Sequence, residues 1–507
     1  MINVQQGNVV DSTAKAIVIS VTQDGALSGA TAAVDQALEG AISQLIADGE
    51  VRGKEGELTL IHTLGRIPAP RVLVLGLGKA ESFDLTTLRN GFAAAARLLR
   101  KAGANTIATV PLAAGGLGQD TAASAQAIVE GAILGLYTFS RHKKRDEDER
   151  EIEELTIIES DAAKLEAVRA GAEKGRILAE ATNRARDLAN EPANYLTPTE
   201  LASQARSLAE EVGLTCRVLE RKDMEELGMN ALLGVAKGSH EPPKLIVVEY
   251  RGAGEGAPTL GLVGKGITFD TGGISIKPAQ GMQEMKGDMA GAAAVISAMG
   301  AIARLKPKVN VTALAPATEN MPGGGAQRPG DVVRAMNGKT IEVVNTDAEG
   351  RLILADALAY ARRLNLSPVI DVATLTGAII IALGRATMGA MTNNAALLDR
   401  VRSAAAAAGE KLWELPLLDE YKEHIKSEVA DIKNVGNREA GSIIGGLFLK
   451  EFIEDTPWVH LDIAGVDLVE KEKGILVKGS SGIPVRTLVN LALSLAEQPL
   501  TSGAALE

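Results

Sequence analysis

The sequence predicts an α/β protein with two domains: a smaller N-terminal α/β domain, and a larger C-terminal domain whose mostly parallel central sheet is flanked by helices. Short β-branched runs alternate with helical stretches rich in Ala and Leu along most of the chain. The later runs are almost wholly apolar, as in parallel strands that are buried on both faces. With 507 residues, 46% hydrophobic and 23% charged, the chain is long and apolar enough for two large cores.

The first domain is predicted to span residues 1–160. The run at 141–150 mixes both signs of charge, which is typical of a solvated loop. Over residues 1–150 the chain carries 15 basic and 16 acidic side chains, so this domain is nearly neutral. Its predicted strands are Ala16–Val21, Leu58–His62 and 71–75, and its predicted helices are 88–101 and Thr121–Gly135.

Residues 161–189 are predicted to form a helix that connects the two domains, because apolar side chains recur along one stripe and a turn-rich segment comes next at 190–198. The second domain then covers 190–507. Its predicted strands are 245–249, 260–263, 309–313, 340–345, 369–374 and 460–463, and its predicted helices are Ala290–Leu305, 352–364 and 400–409.

The charge balance and the cysteine content exclude several classes of protein. With 53 Lys and Arg against 64 Asp and Glu, the net charge of −11 argues against nucleic acid and anionic membranes as partners. The lone Cys216 excludes an intramolecular disulfide and any site of two cysteines, and fits a reducing compartment. We find neither a signal peptide nor a run of about 18 apolar residues, so we expect a cytoplasmic protein.

Ligands of such sheets bind beyond the carboxyl ends of the strands, so the residues just after each predicted strand are the candidates for a site. The first segment of interest places Lys265, Asp270 and Lys277 in a Gly-rich stretch, and Asp288 lies further on at a helix start. Each residue alone has an ordinary interpretation: Lys265 as a surface lysine, Asp270 as a turn residue and Asp288 as a helix N-cap.

The second segment, between a predicted strand and a helix, carries Asp347, Glu349 and Arg351 at positions i, i+2 and i+4. In an extended backbone this spacing directs all three side chains to one face. Four carboxylates that converge in a dry crevice need more positive charge than the nearby Lys and Arg supply, which predicts bound divalent metal ions. Oxygen ligands suit Mg, Mn and Zn, so the ligand type does not select the ion.

Several stretches together resemble the leucyl aminopeptidase family of two-metal cytosol aminopeptidases. The stretches are GKGITFDTGGISIKP from Gly264, MKGDMAGAA from Met285, NTDAEGRLILADAL from Asn345 and DVATLTGA from Asp371, with ARDLANEPANYLTP upstream and WVHLDIAG downstream. The resemblance implies a metal-dependent aminopeptidase that releases N-terminal amino acids, leucine-like ones preferred, from peptides with a free N-terminus. It also implies a catalytic metallopeptidase domain at 190–507 and a homohexamer.

Carried over residue by residue, the resemblance implies two metal sites that share Asp270 and Glu349. One metal would bind Asp270, Asp347 and Glu349, and also the Asp347 backbone carbonyl. The other would bind Lys265, Asp270, Asp288 and Glu349. Lysine ligates only when neutral, so Lys265 would need a strongly lowered pKa.

The resemblance also implies the remaining roles. Lys277 would polarise the scissile carbonyl, and Arg351 would hold a bicarbonate that serves as the general base. The free α-amine of the substrate would bind the metal at Lys265 and Asp288. Met285, Thr374 and Leu375 match substrate-binding positions, although Met285 has an equal interpretation as core packing.

Two departures from the family pattern stand out. Asp467 stands where some members place a large apolar residue of the side-chain pocket, which puts the preference for leucine-like residues in doubt. The central pair of KGSSG at 478–482 also differs from the usual one.

Two alternatives stay open. The hexamer could add a DNA-binding or regulatory role, for which a basic stripe would be the signature. A nucleotide-dependent oxidoreductase is weaker, because Glu81 stands where the dinucleotide fingerprint after Gly76 and Gly78 needs a small residue.

Overall fold

In the computed structural model, the described residues are 1–23, 25, 27–113, 117–144 and 150–499. The chain forms two compact units, one of residues 1–180 with 470–478, the other of residues 181–469 with 479 onward. The domain limits at 160 and 190 stay a prediction, and the sequence had given no sign that 470–478 would group with the first unit. Part of the charged run, residues 145–149, lies outside the described residues.

Within the described residues, the first unit contains a six-stranded sheet in the order β1-β6-β5-β2-β4-β3. All neighbours are parallel except β3, which pairs antiparallel with β4 at one edge. Alternate residues of β2 pack into two separate apolar clusters, so the sheet is buried on both faces. The strands are β1 (Ile2–Gln6), β2 (Ala16–Val21), β3 (Leu58–His62), β4 (Arg71–Gly76), β5 (Thr106–Thr109) and β6 (Glu154–Glu159).

Two helices of this unit, which begin at Leu85 and Thr121, are capped by aspartate side chains. Asp84 and Asp120 accept hydrogen bonds from backbone N–H groups three residues on, at 2.7 Å each. The long helix predicted from 161 begins at Leu165, because Ala162–Lys164 forms a 3₁₀ turn capped by Asp161. The helices are α1 (Gly29–Ala37), α2 (Ala41–Ala47), α3 (Leu85–Lys101), α4 (Thr121–Gly135) and α5 (Leu165–Asn190), which contributes residues to both units.

The second unit is organised by a nine-stranded sheet that is parallel at its centre. Its order is β16-β15-β18-β14-β9-β11-β8-β7, with β10 paired to β11, and the neighbours from β18 to β11 are parallel. Antiparallel pairs lie further out, at β15/β18, β11/β8 and β8/β7. The strands are β7 (Thr215–Leu219), β8 (Lys244–Arg251), β9 (Thr259–Gly264), β10 (Gly266–Asp270), β11 (Asn310–Asn320), β14 (Val369–Ala373), β15 (Met388–Thr392), β16 (Leu412–Glu414) and β18 (Trp458–Asp462).

Two small sheets complete the strands that are described for this unit. One contains β12 (Asp331–Arg334), β13 (Thr340–Val343) and β17 (Ile432–Lys433), and the other contains β19 (Leu468–Val469) and β20 (Gly479–Ser480). The strand predicted at 340–345 therefore exists in shorter form, but it belongs to a small sheet and not to the central one. An apolar alternation identifies a strand without identifying its neighbour, which explains the error.

Helices cover both faces of the central sheet, which confirms the predicted fold class. One segment, Met282–Leu305, is apolar and long enough to cross a membrane by its length and composition, which the sequence pattern had not indicated. Because 89% of this window is buried inside the protein, the segment is typical of a core helix. The helices are α6 (Pro198–Val212), α7 (Arg221–Glu226), α8 (Asn230–Ala236), α9 (Ala290–Leu305), α10 (Gly350–Arg363), α11 (Gly377–Leu383), α12 (Ala395–Ala408), α13 (Gly441–Ile453) and α14 (Val485–Glu497).

Candidate metal centre

Lys265 lies at the centre of a buried ion-pair group at the carboxyl ends of the central strands. It stands between β9 and β10, and its Nζ lies 2.8 Å from Asp288 Oδ2 and 2.9 Å from Glu349 Oε1. The same nitrogen donates to the carbonyl of Thr374, just after β14, at 2.9 Å. The Lys265 side chain is only 4% exposed, so the interpretation as a surface lysine is wrong.

Lys277 joins the other two predicted carboxylates. Its Nζ lies 2.8 Å from Asp270 Oδ2, at the end of β10, and 2.5 Å from Asp347 Oδ1. Asp270 also accepts from the backbone N–H of Gly272 at 2.8 Å, as its interpretation as a turn residue requires. The turn and the ion pair therefore use the two oxygens of one carboxylate.

The carboxylates converge closely enough to share a cation. Oxygens of Asp270, Asp347 and Glu349 lie within 4.8 Å of one another. Glu349 Oε2 is buried and has no hydrogen-bond partner among the described residues, which is costly unless a cation or a donor occupies the site. The donor set of carboxylate oxygens and one amine fits a divalent metal ion, as the sequence predicted.

Burial is the largest influence on the pKa values of the carboxylates, whereas neighbouring charges decide the pKa of Lys265. Burial raises the pKa of Asp288, Asp347 and Glu349, since the low-dielectric interior disfavours the charged form. Burial acts to lower the pKa of Lys265, but Coulombic attraction to Asp288, Glu349 and Asp270 outweighs it and raises that pKa. In the polypeptide by itself Lys265 is thus an ammonium, and its service as a metal ligand requires that metal binding displace the proton.

The residues Asp347, Glu349 and Arg351 converge by a different geometry from the one that we predicted. Asp347 lies in a turn, Glu349 is the N-cap residue of α10 with φ −77° and ψ −35°, and Arg351 lies in the first helical turn. The expectation of an extended backbone is therefore wrong. A turn that leads into the helix brings the side chains together, so their spacing in sequence was not the cause.

Two glycines allow the close packing of this centre. A Cβ on Gly350 would lie 2.7 Å from Lys265 Nζ, so a side chain there would displace the lysine. Gly272 has φ +84°, and a Cβ on it would lie 2.7 Å from Asp347 Oδ1. Both positions thus need glycine for reasons of space, and the second also for its backbone conformation.

Asp288 is not the helix cap that its sequence position suggested. The N-cap of α9 is Met289, and the Asp288 Oδ1 atom accepts from Thr374 Oγ1 at 2.7 Å. Thr374 therefore contacts Lys265 through its carbonyl and Asp288 through its hydroxyl. The structure brings Thr374 into the centre, next to the half-buried Leu375.

Arg351 is buried, and its positive charge is only partly compensated by its surroundings. Its Nη1 donates to the backbone carbonyl of Asn434 at 2.7 Å, and no carboxylate in the described part of the chain forms an ion pair with it. Burial lowers the pKa of Arg351 to about 10, while Glu349 and Asp462 act to raise it. The guanidinium remains a cation at neutral pH.

The positions that the family resemblance associates with the substrate side chain lie near the centre. Met285 is half-buried in the 3₁₀ helix Met282–Gly287, directly before Asp288. Asp467 is 6% exposed, and its Oδ1 accepts from Ser480 Oγ at 2.7 Å. A Cβ on Gly287 would lie 3.5 Å from Asp467 Oδ2, which places this carboxylate against the same 3₁₀ helix. Burial raises the pKa of Asp467 to about 6.

Three residues that the sequence analysis did not assign also contact the centre. Asn320 donates to Asp270 Oδ1 at 2.8 Å and to the Thr346 carbonyl at 3.0 Å. Asp462 accepts from the Leu375 N–H at 3.1 Å and so holds the segment after β14. Asn434 contacts the segment after β13. Only Asp462 lies in one of the stretches that resemble the family, WVHLDIAG. Nothing local in the sequence distinguishes Asn320 and Asn434 from other asparagines.

The fold and this centre define a class of protein: α/β proteins that bind divalent metal through clustered carboxylates at the carboxyl edge of a mostly parallel sheet. Comparison with known proteins agrees and is more specific. Residues 183–489 match the cytosol aminopeptidase family, catalytic domain, and residues 18–146 match the N-terminal domain of the same family. The chain belongs to the cytosol aminopeptidase family.

Curated relatives and solved structures extend the match over nearly the whole chain. A probable cytosol aminopeptidase of Solibacter usitatus is 55% identical over 452 residues, which are 89% of this chain and 92% of the relative. One from Alkaliphilus metalliredigens is 50% identical over 466 residues, or 91% and 93% of the two chains.

Among solved structures, a mutant of tomato leucine aminopeptidase superposes with a TM-score of 0.87 at 35% identity, covering 97% of this chain and 96% of that one. The bottromycin maturation enzyme BotP in complex with Mn superposes with a TM-score of 0.84 at 36% identity, covering 95% and 100%. The protein is therefore a metal-dependent aminopeptidase, a hydrolase of peptides with a free N-terminus.

Proposed function

We propose that this aminopeptidase binds two divalent metal ions and releases leucine-like N-terminal residues preferentially, with a broad tolerance for others. The observation that carries the two-metal proposal is the convergence of four carboxylates with Lys265 and Lys277, together with the unpartnered Glu349 Oε2. Four carboxylates against the cations of Lys265, Lys277 and Arg351 leave room for added positive charge.

The ligands divide into two overlapping sets. Asp270, Asp347 and Glu349, whose oxygens lie within 4.8 Å of one another, would hold one ion together with the Asp347 backbone carbonyl. Lys265 and Asp288 would complete the other set, again with Asp270 and Glu349. The contacts of Lys265 Nζ with Asp288 and Glu349, at 2.8 and 2.9 Å, support this grouping. Mn and Zn are the proposed ions, with Mg as a further candidate.

When bound, the two ions would supply a hydroxide nucleophile near neutral pH and polarise the scissile carbonyl. Lys277 would act beside them: its Nζ is held between Asp270 and Asp347, and its side chain is 22% exposed, so the residue is both oriented and reachable. Its pKa is raised, since attraction to Asp270 outweighs burial, and it therefore presents a full positive charge to the carbonyl oxygen as negative charge grows there.

Arg351 would hold the general base, for which we propose bicarbonate. The guanidinium is buried, it gives one hydrogen bond to a neutral carbonyl, and it forms no ion pair among the residues that the structure describes. A planar anion matches the fork of donors that remains. Such an anion would accept the proton that the attacking water loses.

The preference at the cleaved end would depend on Met285, Thr374 and Leu375, with Asp467 close by. Met285 and Leu375 are half-buried apolar residues, the first in the turn before Asp288 and the second directly after its partner Thr374, and together they would favour a leucine-like side chain. Asp467 adds a buried carboxylate against the 3₁₀ helix that carries Met285. This carboxylate explains why we propose a broad preference, in which polar side chains are also accepted.

We further propose a homohexamer that acts in the cytoplasm. The hexamer is implied by the family resemblance, and the cytoplasmic location agrees with the lone Cys216 and with the family of the relatives. Light scattering of the purified protein would test the assembly.

The first experiment compares leucine p-nitroanilide with its N-acetylated analogue, after chelation and after addition of Mn, Zn or Mg. We expect cleavage of the free-amine substrate alone, loss of activity on chelation and recovery with at least one ion. A panel of aminoacyl p-nitroanilides then ranks leucine against polar and charged residues.

Activity on the acetylated substrate would refute the requirement for a free amine. Full activity after exhaustive chelation would refute the metal mechanism. A ranking in which leucine stands below charged residues would refute the leucine preference and direct attention to Asp467.

A further inference from the structure

Asn434 is completely buried and lies beside the segment that carries the proposed metal ligands. It comes directly after β17, which runs parallel to β13 with Ile341 opposite Ile432. The residues after β13 and the residue after β17 therefore emerge at the same edge of the small sheet. The Asn434 N–H donates to the Glu342 carbonyl at 3.0 Å, which continues the ladder by one residue.

Among the described residues, the hydrogen-bond partners of the Asn434 side chain all lie in that segment. Its Oδ1 accepts from the N–H groups of Val344 and Asn345 at 2.9 and 3.3 Å. Its Nδ2 donates to the Asn345 carbonyl at 2.7 Å, with the Ala348 carbonyl at 3.5 Å as a weak second acceptor. Because the oxygen faces two donors and the nitrogen faces two acceptors, the orientation of the amide is unambiguous.

The backbone carbonyl of Asn434 also contacts Arg351. The Asn434 carbonyl accepts from Arg351 Nη1 at 2.7 Å. One residue thus contacts both ends of the segment from Val344 to Arg351. No helix or strand covers residues 344–349, so side chains must satisfy and align its backbone groups.

We infer that Asn434 is a positioning residue of the metal centre: it fixes the segment that aims Asp347 and Glu349, and it orients Arg351 through its carbonyl. The inference rests on the proposed function, because it takes Asp347 and Glu349 as metal ligands. Partners that orient metal ligands typically change metal affinity by 10- to 100-fold when they are removed. Asn434 has no direct role in the reaction, so it acts through the geometry of the ligands.

The test replaces Asn434 by Leu, which is neutral and similar in shape but forms none of the four side-chain contacts. Asn310 provides a matched control, because it is 1% exposed and also secures a loop. Its Oδ1 accepts from the Ala253 N–H at 3.0 Å, and its Nδ2 donates to the Gly254 carbonyl at 2.7 Å. Asn310 begins β11 whereas Asn320 ends it, so the control lies about 33 Å from Asn320 along an extended strand and contacts none of the proposed ligands in the described residues.

Calorimetry measures the Mn affinity of the chelated proteins, and steady-state kinetics at saturating Mn measure kcat and KM. For Asn434→Leu we expect Mn affinity to weaken by about 10- to 100-fold, and kcat to fall with a smaller change in KM. For Asn310→Leu we expect a lower Tm with unchanged Mn affinity and kcat. If Asn434→Leu does not fold, Asn434→Ser, which keeps a short donor and acceptor, replaces it in the same comparison.

Two results would overturn the inference, and they are distinguishable. If wild type binds Mn normally and the Asn434 variant loses only Tm, as the Asn310 control does, Asn434 is merely structural. If wild type binds no Mn and needs none for activity, the proposed metal function fails and the inference fails with it.

Discussion

Replacing Lys277 by Met tests the proposed chemistry most directly, because the variant loses the charge and keeps an unbranched side chain that is only one atom shorter. Lys277 Nζ lies 2.8 Å from Asp270 Oδ2 and 2.5 Å from Asp347 Oδ1. The same cation would therefore approach both the proposed metal ligands and the substrate carbonyl. Its removal should change catalysis and metal binding in opposite directions.

The size of the kinetic effect depends on the role of the charge. A preorganised donor aimed at a developing oxyanion contributes about 10²- to 10³-fold in kcat, or about 2.7–4 kcal/mol. We expect Lys277→Met to lose about that much kcat with little change in KM, since the ground-state carbonyl carries little charge. Mn affinity should stay the same or rise, because a cation that competes for Asp270 and Asp347 is gone.

The assay measures kcat and KM for leucine p-nitroanilide at saturating Mn, with calorimetry of Mn binding to the chelated protein. Lys339→Met is the control. Lys339 is a partly exposed lysine paired with one carboxylate, Glu451, and it lies next to the start of β13, at the end opposite to the metal centre. We expect its kcat to stay close to that of wild type.

Unchanged kcat in Lys277→Met would refute the carbonyl role of Lys277. A loss of kcat that excess Mn restores would also contradict it, because the variant would then act through metal occupancy. Neither result would exclude the family, which rests on the match over the whole chain.

Further predictions concern the ligands, the metal and Asp467. Glu349→Ala and Asp347→Ala should each weaken Mn affinity by more than about 100-fold and abolish activity, since direct ligands matter more than their supports; retained binding by calorimetry would contradict the ligand sets. Mn at about 100 times its Kd should raise the stability of the chelated protein by about 2.7 kcal/mol in thermal unfolding, and an unchanged Tm would contradict specific binding. The pKa of Asp467 is raised by burial to about 6, so the folded state retains a proton that the unfolded state has lost. Stability should therefore fall as pH rises through the range from the ordinary Asp value to about 6, by on the order of 1 kcal/mol between about pH 5 and 7.5. Asp467→Asn should remove that slope in denaturant titrations, and an identical slope in the variant would contradict the assignment.

Much of the fold could be predicted because strands and helices depend on local patterns. Ala16–Val21, Leu58–His62 and Thr121–Gly135 have the predicted bounds, and so does Ala290–Leu305. The helix predicted at 400–409 begins earlier, at Ala395, where Asn394 accepts from the Leu397 N–H at 2.9 Å and caps it. A cap of this kind depends on one side chain and leaves no periodic signal.

For the metal centre, the sequence predicted which residues lie together but not the backbone geometry that brings them together. All five predicted ligands lie together although their segments come from different elements. Lys265 and Asp270 stand at the ends of central strands and Asp288 leads into α9, whereas Asp347 and Glu349 follow β13 of the small sheet. The reason that we first gave for the second segment, an extended backbone, was wrong, since Glu349 caps α10. The motif selected residues that the structure brings together, while the local geometry inferred from their spacing did not hold.

The sequence by itself determined the fold class, the family and the residues able to bind metal, since composition, apolar periodicity and short motifs are properties of neighbouring residues. Only the tertiary structure decided which distant groups complete the centre. Asn434 meets Asn345 across 89 residues of chain, and Asn320 meets Asp270 across 50. Such contacts depend on which strands pair and in what register, and strand pairing is a property of the whole sheet that no local pattern contains.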